Sequence, residues 1–146
     1  MATSHFFAYL SRMKFIRRWG LMHSTYPENV QEHSLRVAQI AHALAIIKNR
    51  LYGGDVNPER AATLAIYHDT SEVLTGDLPA PVKEFNPGIR RAYHAIEAAS
   101  KERLFGLIPD ALIAVISRSW EARAKVSTVA ISSEIASKWG KVSAAQ

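Results

Sequence analysis

The sequence predicts an all-α fold, because several of its patterns are typical of helices and no segment alternates convincingly as a strand would. Apolar residues recur at spacings of three and four along most of the chain. The pairs Asn57-Pro58 and Asn86-Pro87 each combine an N-cap with proline at the first helical position. The pair Gly53-Gly54 follows a long periodic segment, as glycines commonly do where a helix ends.

Five helices are expected along the chain. They run from Ser4 as N-cap to about Trp19, from Asn29 to Gly53, from Pro58 to about Leu74, from Pro87 to about Gly106, and onward from Pro109. Asn29 can cap the second helix, and Glu32 three residues later completes a capping-box pattern. Between the third and fourth helices, residues 76–81 contain a glycine and two prolines, which exclude a helix and predict a fixed, extended turn.

Length and composition indicate one globular domain. The 146 residues can bury one hydrophobic core, and 48% apolar with 21% charged residues is an ordinary globular balance. The chain has no cysteine, so it can form neither disulfides nor thiolate metal sites. Any metal ion would therefore be bound through nitrogen and oxygen.

A cytoplasmic location is expected from the same data. No apolar run approaches the roughly 20 residues that cross a bilayer. The short apolar stretch at residues 6–10 precedes its basic residues, which is the wrong order for a secretory signal. The absence of disulfides also fits a reducing compartment.

The basic net charge raises the possibility of nucleic-acid binding, and its distribution argues against it. The formal charge is +5 with a pI near 9.7. Residues 1–116 carry 13 Lys and Arg against 11 Asp and Glu, whereas residues 117–146 carry five against two. Because the excess lies mostly in a serine-rich tail without a dense basic block, nucleic acid is an unlikely partner. The sequence predicts a core domain over residues 1–116 and an atypical tail over residues 117–146, partly helical or disordered.

Two histidines and an aspartate are the candidate metal ligands. One helical stripe comprises His33, Val37, Ile40, Leu44 and Ile47, and another comprises Ala61, Leu64, Ala65 and His68. If these stripes face each other, His33, His68 and Asp69 converge at the ends of two packed helices. Buried imidazoles and a carboxylate cost free energy unless something binds them, and a divalent metal ion is the usual ligand. The alternative is that each histidine is an ordinary core residue with its hydrogen bonds satisfied.

Several longer stretches carry a resemblance to a known family. They are Ser4-His5-Phe6-Phe7-Ala8, Arg18-Trp19, Glu32-His33-Ser34-Leu35, Tyr67-His68-Asp69, residues 71–79 and Pro81-Val82-Lys83. Over residues 4–83, and weakly to Ile113, the chain resembles the bacterial 5'-deoxynucleotidases of the HD-domain metal-dependent phosphohydrolase superfamily. The resemblance implies an HD-domain-like helical bundle, here C-terminally incomplete. It also implies hydrolysis of deoxyribonucleoside 5'-monophosphates to deoxynucleoside and phosphate, with a divalent cation such as Co or Mn, by a homodimer.

The same resemblance assigns roles to individual residues. It makes His33, His68 and Asp69 the metal ligands and Glu72 the catalytic acid/base. It places Arg18 on the phosphate as a catalytic and binding group. Substrate contacts are expected from Arg18, Trp19, His33, Asp69, Asp77, Leu78, Pro79 and Ala80.

For three of these residues an alternative without a role in binding stays open. Arg18 could be a solvated helix end, beside the equally basic Arg17. Trp19 could be a core aromatic whose N–H is satisfied. Asp77 could be a turn residue that bonds its own backbone.

One departure from the family pattern concerns the last metal ligand. The family has a second aspartate well after the His-Asp pair, and this chain has no aspartate after Asp110. Asp110 is better explained as an N-cap, and Glu134 is the one late carboxylate considered as a substitute. Loss of a charged ligand weakens metal binding. The alternative function is therefore an inactive or impaired HD-domain fragment that keeps only metal or nucleotide binding, or protein association.

Overall fold

The fold is helical throughout the part of the chain that the structure, a computed structural model, describes: residues 5–21, 23 and 25–121. Its helices are α1 (Phe6–Leu10), a 3-10 helix (Ser11–Phe15), α2 (Val30–Tyr52), α3 (Pro58–Ile66), α4 (Glu72–Thr75), α5 (Ala80–Lys83), α6 (Pro87–Phe105) and α7 (Asp110–Glu121). The all-α prediction is confirmed. The expected N-cap Ser4 and most of the predicted tail, with Glu134, lie outside the described residues.

The capping predictions for the long helices are confirmed. At the start of α2 the Asn29 side chain accepts from the Glu32 backbone N–H at 2.9 Å, and the Glu32 carboxylate accepts from the Asn29 N–H at 3.3 Å. Gly53 ends α2 in the left-handed conformation at φ 62°, which glycine adopts without strain. Asn57 and Asn86 cap α3 and α6 through backbone N–H bonds of 2.7 and 2.9 Å.

The prediction of one helix from Ser4 to Trp19 is wrong. After the 3-10 helix the chain extends, and residues 16–18 pair with residues 28–30. The Arg18 N–H donates to the Glu28 carbonyl at 3.0 Å, and the Val30 N–H donates to the Ile16 carbonyl at 3.0 Å. These non-local bonds replace the local ones that a continuous helix would make. Trp19, at φ +63°, lies outside helical geometry.

The prediction that the third helix continues to Leu74 is also wrong. The helix α3 ends at Ile66, and residues 67–71 form tight turns before α4 begins at Glu72. The Thr70 hydroxyl donates to the Tyr67 carbonyl at 2.8 Å, and His68 Nδ1 lies 2.7 Å from the Ala65 carbonyl. Such side-chain bonds to the backbone compete with helical hydrogen bonding. The His68-Asp69 pair therefore lies in the turn after α3, and Glu72 belongs to α4 rather than to α3.

The predicted extended turn over residues 76–81 is shorter than expected. It ends at Pro79, because Ala80 begins α5 and Pro81 lies within its first turn. Proline is tolerated there, since the first N–H groups of a helix have no partner inside it.

The buried face of α2 differs from the predicted stripe. It comprises the small residues Val30, Ser34, Ala38, Ala41 and Ala45. Ala38 and Ala41 pack with Ala65 of α3, because small side chains let the two helices approach closely. The large residues of the predicted stripe lie beside this contact, and Ile40 and Ile47 are 47% and 44% exposed. His33 is consequently half-buried at the margin of the interface.

A second cluster fixes the remaining helices around the same region. Met13, Val30, Val73 and Leu104 are buried together, so the 3-10 helix, α2, α4 and α6 share one core. This packing holds α4, and with it Glu72, against α6. The helix α7 runs to Glu121, past the predicted boundary at residue 116. Among the described residues, no helix has the length and apolar character that a membrane span requires.

Candidate metal centre

Three predicted ligands converge where α2 begins and α3 has ended. His33 lies in the first turns of α2, and His68 and Asp69 lie in the turn after α3. Asp69 Oδ2 is 2.9 Å from His68 Nε2 and 3.7 Å from His33 Nε2, and the two imidazole centroids are 5.3 Å apart. One donor atom from each residue lies within 4.8 Å of the others. The three could therefore bind one metal ion.

The hydrogen bonding of His68 supports a cation at this position. Its Nδ1 lies 2.7 Å from the Ala65 carbonyl, and since a carbonyl only accepts, Nδ1 carries the proton. In the neutral ring Nε2 then presents a lone pair to a carboxylate oxygen at 2.9 Å. Two acceptors at that distance repel each other unless a proton or a metal ion lies between them. The chemistry of the donor set thus fits a divalent ion, held through nitrogen and oxygen.

His33 is also favoured in its metal-binding form. Burial lowers its pKa from the usual 6.5, and the neighbouring Arg18 guanidinium lowers it further, against the opposing effect of Asp69. The neutral imidazole is the form that binds metals.

Arg18 is held beside the centre rather than solvated. Its side chain is 16% exposed, its Nε donates to Glu28 Oε2 at 3.1 Å, and its Nη1 lies 3.8 Å from Asp69 Oδ2. The interpretation of Arg18 as a solvated helix end is wrong, because the extended segment 16–18 is tied to residues 28–30. The guanidinium lies 5.5 Å from the Trp19 ring centroid, and Trp19 is 47% exposed. Trp19 is therefore not a core aromatic, and its ring is accessible beside the Arg18 guanidinium.

Glu72 is a buried carboxyl next to the cluster. It is 4% exposed, and its Oε2 has no hydrogen-bond partner among the described residues. Burial raises its pKa from 4.5 to about 8, and the negative Asp69 and Asp77 add to the shift. Lys83, whose Nζ lies 3.6 Å from Glu72 Oε1, opposes it. A carboxyl with a pKa close to neutral can both accept and donate a proton in the working pH range.

The predicted nucleoside-binding turn lies near this carboxyl. Asp77, Leu78 and Pro79 are half-buried and Ala80 is exposed. The charge of Asp77 contributes to the raised pKa of Glu72, which places this aspartate beside the catalytic candidate. No described hydrogen bond joins the Asp77 side chain to its own turn.

Two residues of the site escaped the sequence analysis. Glu28 contacts Arg18, Arg36 and His33, and Lys83 contacts Glu72 and lies 4.8 Å from the Tyr93 ring centroid. Lys83 lies in a stretch that carries the family resemblance and was assigned no role. Glu28 lies in no such stretch, and its position follows from a long-range backbone pairing. Among the described residues, Asp110 is not part of the metal-binding group; it lies in the first turn of α7.

Comparison with known proteins identifies the family of the chain. A family model for YfbR-like 5'-deoxynucleotidases matches residues 5–134. The chain belongs to this family. The match begins before the 3-10 helix and continues past residue 113, where the resemblance in the sequence had faded.

Curated relatives of the chain are named as 5'-deoxynucleotidases. It is 62% identical over 112 residues to the 5'-deoxynucleotidase of Vibrio cholerae, covering 77% of this chain and 58% of the relative. It is 61% identical over 112 residues to the 5'-deoxynucleotidase of Cronobacter sakazakii, covering 77% and 56%. The chain thus spans less than three fifths of the length of these curated relatives.

A solved structure shares the fold. The HD phosphohydrolase DatZ of cyanophage S-2L, bound to dA and one catalytic Zn²⁺ ion, superimposes with a TM-score of 0.52 at 31% identity. The superposition covers 62% of this chain and 50% of the phage protein. The HD-domain prediction is therefore confirmed.

The raised pKa of Glu72 predicts a pH-dependent stability for the metal-free protein. Between pH 6.5 and 8 the folded protein keeps a proton on Glu72 that the unfolded chain has released, so stability falls as pH rises. The free energy of unfolding should drop by about 2 kcal/mol over this window. His33, whose pKa is lowered, acts in the opposite direction and below pH 6.5. Urea unfolding in the presence of a chelator measures the change.

The matched control is Glu72→Gln, which keeps the shape and removes the titrating group. Its unfolding free energy should be nearly constant from pH 6.5 to 8. An equal decline in the variant and the parent protein would show that Glu72 is not the group responsible.

Proposed function

We propose that this chain hydrolyses the phosphomonoester bond of deoxyribonucleoside 5'-monophosphates, giving a deoxynucleoside and phosphate, with a divalent cation. The observation that carries the proposal is the grouping of three metal-binding donors with a buried carboxyl and an oriented guanidinium. Membership of the YfbR-like 5'-deoxynucleotidases supports the reaction class. The structural neighbour, with its bound dA and catalytic Zn²⁺, supports a nucleotide substrate and a metal ion.

His33, His68 and Asp69 would hold the cation. When bound there, a divalent ion such as Co or Mn would lower the pKa of a water ligand and offset charge on the phosphoryl oxygens. The imidazoles supply neutral nitrogen donors, and Asp69 supplies the negative charge. Three protein ligands come from the described residues, and three such ligands would leave coordination positions for water and substrate, as in catalytic rather than structural sites.

Glu72 is the proposed acid/base. In its ionised form the carboxylate accepts the proton of the attacking water. The protonated carboxyl then returns that proton to the 5'-oxygen as the bond to phosphorus breaks, so the group ends the cycle as it began. Burial keeps its pKa near the working pH, and the Lys83 ammonium limits how far that pKa rises.

Arg18 and Trp19 are proposed to bind the two ends of the substrate. The Arg18 guanidinium carries a permanent charge and planar donors that match phosphate oxygens. The exposed Trp19 ring beside it offers an apolar surface for the sugar or base. The turn Asp77–Ala80 is proposed to contact the nucleoside from the α5 side of the site.

Phosphate release from dAMP tests the proposed reaction. With Mn²⁺ or Co²⁺ added, the chain should release phosphate, and chelation should abolish the release. Glu72→Gln should lower kcat by about a hundredfold or more, because it removes proton transfer while preserving the carboxyl's shape.

Glu97→Gln on α6 is the matched control and should retain the parent rate. Metal-dependent turnover that survives Glu72→Gln would contradict the assigned role. Absence of turnover from folded, metal-binding protein would support the alternative, an impaired fragment that keeps metal or nucleotide binding. The observation that favours this alternative is that the described residues supply a metal-binding group of three ligands.

Asp77 is proposed to favour deoxyribose by rejecting a 2'-hydroxyl. Asp77→Ala should raise activity on AMP relative to dAMP by about tenfold, the equivalent of one lost repulsive contact. Parallel measurements of kcat/KM on the two nucleotides provide the ratio. A change of equal size on both substrates would contradict a role in sugar selection.

A homodimer is proposed from the exposed apolar side of α2. Ile40, Ile47 and Leu51 are 47%, 44% and 71% exposed, and with the half-buried Leu44 they follow helical spacing. Contiguous exposed apolar surface of this kind marks sites of protein association. A second copy of the chain is the proposed partner.

Sedimentation of a variant with both Ile47→Asp and Leu51→Asp tests the dimer. The charges should convert the dimer to monomer at micromolar concentration, because they would be buried unpaired in the interface. Gln39→Asp, on a different side of α2, should leave the dimer intact. A monomeric parent protein would refute the proposal.

The domain division and the cellular location remain proposals of the same kind. Residues 1–116 are proposed to form the HD-domain core, with residues 117–146 appended to it. A cytoplasmic location stays a prediction from the sequence.

A further inference from the structure

The Glu28 side chain connects two groups of the site, although the reaction described above assigns it no role. It is only 10% exposed. Its Oε2 accepts from Arg18 Nε at 3.1 Å and lies 3.8 Å from His33 Nδ1, and its Oε1 accepts from Arg36 Nη1 at 2.6 Å. One carboxylate thus faces both the phosphate-binding candidate and a metal-ligand candidate.

The backbone pairing at this position does not involve the Glu28 side chain. The segment that contains Glu28 is joined to residues 16–18 by backbone hydrogen bonds, two of them 3.0 Å long. The helix that follows is capped by the Asn29 side chain and Glu32. These bonds use only backbone atoms at position 28, so they do not explain why a carboxylate stands there.

The contact with Arg18 fixes which donors remain for a substrate. A guanidinium has two pairs of parallel donors, one that includes Nε and one formed by the two terminal nitrogens. Because Glu28 accepts from Nε, the pair of terminal nitrogens is left, and Nη1 is the atom that lies 3.8 Å from Asp69. Glu28 therefore turns the phosphate-binding side of Arg18 toward the metal-binding group.

The contact with His33 acts on its ring orientation. His33 presents Nε2 to Asp69 at 3.7 Å and Nδ1 to Glu28 at 3.8 Å. Metal-binding histidines generally direct their second ring nitrogen toward a carboxylate or carbonyl, which fixes the tautomer with a free lone pair on the metal side. The Glu28 charge favours the Nδ1–H tautomer of His33 from 3.8 Å, beyond hydrogen-bond distance, whereas the Ala65 carbonyl accepts a hydrogen bond of 2.7 Å from His68 Nδ1.

We propose that Glu28 is a positioning residue that orients both Arg18 and His33, and so couples phosphate binding to metal binding. The inference rests on the proposed function for the phosphate part alone. Two acidic partners, Glu28 at Nε and Asp69 at Nη1, then hold Arg18, and Arg36 balances the charge of Glu28 from the surface.

Two substitutions separate the contributions of Glu28. Glu28→Gln keeps an acceptor for Arg18 and removes the charge that faces His33, so the affinity for Co²⁺ alone, followed by its visible absorption, should fall about tenfold. Glu28→Ala also removes the acceptor, and should in addition raise KM for dAMP about tenfold with little change in kcat, the pattern of lost ground-state binding.

The Arg18→Ala background tests whether the effect passes through Arg18. If Glu28 acts by orienting Arg18, Glu28→Ala should change KM less than about twofold once Arg18 is absent. Additive effects on KM would overturn the proposal, as would unchanged Co²⁺ affinity in Glu28→Gln. Glu59→Gln and Glu59→Ala, at an exposed acidic position of α3, should match the parent protein.

The two measurements, Co²⁺ affinity and KM for dAMP, distinguish failure of this inference from failure of the proposed function. Co²⁺ titration needs no turnover. A protein that binds Co²⁺ but releases no phosphate from dAMP refutes the proposed reaction, and the Co²⁺ affinity of Glu28→Gln then still decides whether Glu28 acts on His33. Circular dichroism and thermal unfolding confirm that each variant folds. If Glu28→Ala is unfolded, the conservative Glu28→Gln carries the test.

Discussion

The short contact between Asp69 and His68 is the constraint on which the site depends. A carboxylate oxygen and an imidazole nitrogen face each other at 2.9 Å while the other ring nitrogen is bonded to a carbonyl. With neither a proton nor a metal ion between them, these two acceptors repel each other. The turn that holds them persists because the core packing of α3 and α4 on either side fixes its ends. The fold thus holds a preformed cation-binding group in place.

The same constraint organises the charges around it. Asp69 attracts Arg18 toward the cluster and raises the pKa of Glu72, so one carboxylate influences both the phosphate-binding and the proton-transfer candidate. Glu28 restrains Arg18 at its Nε, and Lys83 restrains Glu72. Arg18 therefore lies between two attractive carboxylates, and Glu72 lies between the repulsive Asp69 and the attractive Lys83. Such charge contacts hold side chains in one geometry before substrate arrives, which favours electrostatic preorganisation.

Features of the fold that depend on interactions between residues close in sequence could be predicted, and those that depend on long-range contacts could not. The caps at Asn29, Asn57 and Asn86 were predicted because capping involves residues only three apart. The predicted stripe was wrong at Ile40 and Ile47, because alanines form most of the α2–α3 contact and Val37 is the member of the stripe that packs against them. The size of an apolar side chain indicates that the residue could be buried. Which residues are buried depends on where the partner helix packs.

The sequence by itself determined the helical fold, the main helix starts and the identity of the metal-binding candidates, because these follow from local bonding and from residue types that bind metals. Only the tertiary structure decided that the third helix stops before His68, that Arg18 lies on an extended segment, and that Glu28 and Lys83 join the site. Those outcomes come from backbone pairing and charge contacts between segments that local sequence patterns do not relate to one another. Burial acts likewise, since the raised pKa of Glu72 exists only once surrounding helices exclude water.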